Sequence, residues 1–212
     1  MRWVSSDVDV LSMRNSRFGS VLRSAAQVAL SGLVVALAIA APAASAHSVK
    51  PAQASQPACS GADAATTHVR QIERTMLCLH NRQRLERGLS KLTWNRDLAA
   101  VAERHARDMV ARHYFAHLSP NGHDHMDRIA ASGYKPAVGC WTAGENLFFS
   151  TGPSTPRQLL SAWMNSPAHR ANILRSGWSG FGLGVVATSP QGDANGLTVV
   201  ALFGVRSKQL CN

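Results

Sequence analysis

The chain has 212 residues, with 22 Lys+Arg against 12 Asp+Glu, nine His and four Cys. That length suits one domain with a real core. The formal charge of +10 favours anionic surfaces such as cell-wall polymers or phospholipid heads, but it argues against nucleic acid, because Arg is scattered and no Lys/Arg run occurs.

The chain opens as an export signal. Arg14, Arg17 and Arg23 precede an apolar run from about Val28 to Ala41, and Ala44-Ser45-Ala46 offers a small-residue cleavage site. The run is too short to span a bilayer, and no cysteine follows it closely enough to take a lipid. The expectation is a signal over residues 1–46, translated from Met1 or Met13 and cleaved near Ala46. A secreted protein follows, with no transmembrane segment in the mature part. The first 46 residues hold four Arg and two Asp, so their removal lowers the charge from +10 to +8. Cys59, Cys78, Cys140 and Cys211 form an even set in an exported chain, which reads as two disulfides. Of the three connectivities, Cys59–Cys78 with Cys140–Cys211 is favoured, since it ties both ends of the chain down.

Residues 47–66, rich in Ala, Ser, Gln and Pro, read as a flexible arm before a domain over 67–212. From Val69 the period becomes helical, with Ile72, Met76 and Leu79 on one face and Gly88 as the terminator. Leu89, Leu92 and Trp94 form an apolar connection. Asn95 then caps a helix whose stripe holds Leu98, Val101, Ala102, His105, Met109 and Val110, where His105 reads as a satisfied core residue. The helix gives out after Arg112, and Pro120 and Gly122 mark a turn just beyond His117. A short helix is expected over Asp127–Ser132. The stretch Ala143–Phe149 reads as a turn leading into an apolar strand, with Glu145 at its mouth. Thr155-Pro-Arg-Gln158 is a capping box for a helix over 156–165. Ser166-Pro167 starts another over 167–174, with His169 in its first turn. Gly182–Thr188 and Leu197–Phe203 are apolar strands around a turn-rich loop, so the hairpin should be covered on both faces. The fold class expected is α+β, an antiparallel sheet between helical layers.

Three groups at element ends stand out: His117, Glu145 and His169. Two imidazoles and a carboxylate suit zinc or another divalent metal. The competing structural reading is a hydrogen-bonded polar cluster that holds the layers together. Activated nucleophiles are missing: the cysteines are expected to be oxidised, and Gly177-Trp-Ser-Gly-Phe misses the Gly-x-Ser-x-Gly elbow.

Four pieces carry a resemblance to a known family. They are His80-Asn81-x-x-Arg84-x-x-x-Gly88-Leu89-x-x-Leu92-x-Trp94; Tyr114-Phe115-Ala116-His117-x-Ser119-Pro120-x-Gly122; Gly144-Glu145-Asn146; and Trp163-Met164-Asn165-Ser166-Pro167-x-His169-Arg170-x-Asn172-Ile173-Leu174. The chain resembles a bacterial member of the CAP superfamily of cysteine-rich secretory, antigen 5 and pathogenesis-related proteins. The resemblance implies a three-layer α-β-α sandwich with a central cleft. In eukaryotic relatives the cleft holds two His and two Glu. His117, Glu145 and His169 match three of them, while the second Glu, expected near Ser166, is absent. Three functions follow as alternatives: a binding module for a divalent metal and/or an apolar lipid or cell-envelope polymer, a metal-dependent hydrolase of peptide or wall polymers, and an extracellular scaffold for protein contacts. The missing carboxylate tilts the reading away from an enzyme.

Overall fold

Residues Val69–Leu85 form helix α1, whose buried positions Ile72, Met76, His80 and Arg84 recur every fourth residue. The structure is a computed structural model describing residues 58–207; the expected signal segment, most of the expected arm and Cys211, with the second expected disulfide, lie outside the described residues. Within the described part of the arm, Cys59 is buried and bonded to Cys78, so the first expected disulfide is present. Ala62 packs into the same core.

A two-residue strand, β1 (Thr93–Trp94), falls where the sequence reads as a connection. Helix α2 (Arg96–Ala111) follows, with Asn95 accepting from the Leu98 amide. Helix α3 is His125–Ala130, two residues earlier than expected. Asp124 is its cap and forms a capping box with Asp127. Then come β2 (Cys140–Ser150), α4 (Pro156–Asn165), α5 (Pro167–Leu174), β3 (Gly180–Val186) and β4 (Leu197–Ser207). The Thr155/Gln158 capping box of α4 is present. Ser166 stands at the N-cap of α5, but its hydroxyl makes no cap bond.

The sheet order is β1-β3-β4-β2, antiparallel except for the short β1–β3 pairing. Along β4, Val199, Ala201 and Phe203 face a core shared with α1, α4 and α5, while Val200 and Leu202 face a core shared with α2 and α3. Both faces are thus covered, which is why the strands lack polar alternation. Strand β3 divides differently. Phe181, Leu183 and Val185 fill the first core, and Gly182 and Gly184 turn to α2 with no space left. A Cβ on Gly184 would sit 2.2 Å from the Ala102 carbonyl carbon. Glycine here lets helix backbone lie directly on strand backbone.

Strand β2 forms the edge of the sheet opposite β1. Two of its carbonyls are closed by side chains: Trp163 Nε1 donates to Leu147 at 2.8 Å, and Asn172 Nδ2 donates to Glu145 at 3.1 Å. Such covering blunts an edge that would otherwise template another strand. Arg84 lies fully buried beneath α5 and donates to four carbonyls, those of Ser90, Ile173, Arg175 and Trp178.

Candidate cleft at the outer strand

The period of two along β2 decides what each residue of Gly144-Glu145-Asn146 faces. Ala143 and Leu147 lie in the core of α2 and α3, so Glu145 between them turns to that layer. Gly144 and Asn146 face the other layer. A Cβ on Gly144 would meet Asn172 Oδ1 at 2.9 Å, so the glycine makes room for that side chain. Asn146 accepts from Asn172 Nδ2 at 2.9 Å and donates to the His169 carbonyl at 3.0 Å. These amides hold the start of α5, and with it His169, against the strand. Glu145 therefore sits in mid-strand, paired in register with Leu202, and not at the strand mouth as the sequence suggests. The pairing with β4 runs unbroken from Cys140 to Ser150, past the glycine that reads as a turn.

His117 comes from the opposite layer, on the segment after α2. His105, buried on α2, bonds the Ala116 carbonyl through Nε2 at 3.1 Å, so the core reading of His105 describes its role. A tight turn follows, closed by the Gly122 amide on the Ser119 carbonyl, with Gly122 at φ 86°. His117 Nδ1 donates to Glu145 Oε1 at 2.8 Å. The Glu145 side chain is 1% exposed, whereas that of His117 is 55% exposed.

Arg128 on α3 completes the arrangement, and sequence reasoning missed it. Its Nη2 donates to Glu145 Oε2 at 2.8 Å, and its Nη1 to Ser119 Oγ and to the His123 carbonyl. Nothing in a chain with scattered arginines singles this one out. Burial pushes the Glu145 carboxyl up, but the His117 hydrogen bond and the charges of Arg128, His105 and His117 outweigh it and hold it below the ordinary range. Burial, and then the charge of His117, lower the His169 imidazole. His169 is thus close enough to feel the charge of His117. His123 sits in the turn, where its carbonyl accepts from Arg128, and His125 opens α3.

Among the described residues, no group of three or more His, Cys, Asp or Glu is arranged to hold a metal ion. Both Glu145 oxygens already accept bonds. With both oxygens engaged, Glu145 orients the His117 ring through Nδ1. The neutral tautomer that donates from Nδ1 leaves His117 Nε2 with its lone pair.

A family model described as "Cysteine-rich secretory protein family" matches residues 77–203. The uncharacterized protein YkwD of Bacillus subtilis (strain 168) is 34% identical over 122 residues, which is 58% of this chain and 45% of that protein. The uncharacterized membrane protein YlbC of the same strain is 35% identical over 115 residues, 53% of this chain and 31% of that one. The chain therefore spans less than half the length of the curated relatives it matches. Among solved structures, an extracellular protein containing a SCP domain from Bacillus anthracis str. Ames is similar at TM-score 0.54 and 27% identity, covering 64% of this chain and 40% of that one. An outer surface protein from Borrelia burgdorferi shares the fold at TM-score 0.53 and 20% identity, covering 62% of this chain and 90% of that one.

Proposed function

The chain belongs to the cysteine-rich secretory protein family, and from that premise we propose that it is an extracellular binding module whose cleft takes a divalent metal ion between His117 and His169. The observation that carries this reading is the His117–Glu145 bond of 2.8 Å, made by a half-exposed imidazole to a buried carboxylate. A histidine anchored at Nδ1 and open at Nε2 is the usual form of a metal-ligating imidazole. His169 supplies the second nitrogen from the facing layer.

A bound zinc ion would supply a Lewis-acidic centre with open positions for an oxygen-bearing ligand, such as a cell-envelope polymer. Leu118, exposed next to His117 in the chain, adds an apolar lip for the remainder of such a ligand. The case for a hydrolase is weaker, since Ser119 accepts from Arg128 and Ser166 stands where the resemblance places a carboxylate in eukaryotic relatives. Export through the segment ending near Ala46, with a domain over 67–212, belongs to the same reading, and N-terminal sequencing of secreted protein checks it.

Zinc calorimetry on the mature protein, beside His117→Ala and His169→Ala, tests the cleft. The expected result is binding by wild type and at least about tenfold weaker binding by either variant. Equal binding by all three, or none by wild type, ends the metal reading.

A further inference from the structure

We propose that Arg128 is a positioning residue for this cleft: acting through Glu145, it fixes His117 in the tautomer that carries its proton on Nδ1 and turns the Nε2 lone pair outward. The consequence for metal rests on the reading above, whereas the tautomer lock does not.

The argument begins with α3. At six residues it is too short to hold its shape alone, and its capping box together with the bonds of Arg128 sets its place. The Arg128 side chain is 13% exposed. Its two terminal nitrogens reach three acceptors on two segments: Ser119 Oγ and the His123 carbonyl beyond α2, and Glu145 on β2. The third nitrogen, Nε, is buried and has no partner among the described residues. A buried donor left unpaired is costly to stability and calls for an explanation. Here the guanidinium is aimed so that both Nη atoms serve the cleft, at the expense of Nε.

That aim restricts Glu145. With Oε2 held by Arg128, the carboxylate cannot rotate, and Oε1 remains for His117. An ionised carboxylate only accepts, so the facing ring nitrogen must be the one that bears hydrogen. A lysine in place of Arg128 would keep the charge but lose the planar fork that spans separate acceptors. Without either cation, a buried carboxylate has no counter-charge, its hold on one rotamer lapses, and His117 is free to exchange tautomers.

The test is nitrogen-15 imidazole NMR of the mature protein at about pH 8, above the ordinary imidazole range. Wild type is compared with Arg128→Lys and Arg128→Gln. Wild type should show His117 as the Nδ1–H form alone, with Arg128→Gln giving a mixture of both forms and Arg128→Lys falling between. His105, whose Nε2 bonds the Ala116 carbonyl, is the internal control. A general loosening of the domain would move His105 too, whereas loss of positioning moves His117 alone. Zinc affinity of Arg128→Gln should fall about tenfold to a hundredfold.

An unchanged His117 tautomer in a folded Arg128→Gln variant overturns the proposal. Should the variants fail to fold, wild type still decides, because a His117 found as Nε2–H or as a mixture refutes the lock. A locked His117 in a wild type that takes no zinc upholds Arg128 and removes only the metal reading.

Discussion

Replacing Arg84 with methionine should destabilise the domain by about 4 kcal/mol, although it exchanges a buried charge for an apolar side chain of similar reach. Such exchanges are often neutral when both partners of a buried ion pair are replaced. Among the described residues Arg84 has no carboxylate partner; its acceptors are four backbone carbonyls that no substitution can remove. Those of Ser90 and Arg175 lie where water can replace the guanidinium, while the bonds to Ile173 and Trp178 are buried. Two stranded acceptors at about 1–3 kcal/mol each give the figure, and the methionine side chain prevents a large cavity. Arg84→Lys should fall between, since one ammonium has three donors and no planar fork. The assay is urea unfolding with disulfides intact, read at constant slope. A loss below about 1 kcal/mol for Arg84→Met would refute the reasoning. Because these carbonyls close the end of α5, which carries His169, zinc affinity should weaken in parallel.

Gly184→Ala would drive its Cβ into the backbone of Ala102 and Glu103. It should cost about 1–3 kcal/mol or more in thermal unfolding, while Gly152→Ala, with nothing among the described residues within 4 Å, should be close to neutral; equal effects would contradict the backbone contact. Burial holds the His80 imidazole down to about 4 from its ordinary 6.5. Between those values the unfolded chain binds a proton that the folded one refuses, so stability should fall by about 3 kcal/mol as pH drops from 6.5 to 4. A urea midpoint flat across that window, or a fall unaltered in His80→Phe, would exclude His80 as the cause. Removing the disulfide with Cys59→Ala/Cys78→Ala, which opens a link across 19 residues, should cost about 3 kcal/mol, and mild reduction of wild type should move the unfolding midpoint at least as far.

The periodic parts of the chain were legible because burial imposes its own spacing. Ile72, Met76 and Leu79 marked α1, and the Thr155/Gln158 box marked the start of α4. Arg84 could have been found the same way, since it continues the four-residue stripe of Ile72, Met76 and His80 and is the one charge on it. Other features left no local trace. Strand β1 has two residues and exists through its pairing with Gly180 and Phe181, far along the chain. Glu145 looked like a strand mouth because Gly144 reads as a turn, whereas that glycine is there to admit Asn172. Arg128 was hidden for a similar reason, because its meaning comes from Glu145, which only folding brings near.

The capped carbonyls of Glu145 and Leu147 also govern how the protein behaves in company. A stray peptide arriving at the middle of the sheet's last strand meets Asn172 and Trp163 where it would need free oxygens. The side chains that seal this border come from α4 and from α5, the helix that carries His169. Variants that pry Asn172 or Trp163 away should therefore begin to aggregate under the same conditions in which they stop recognising a ligand.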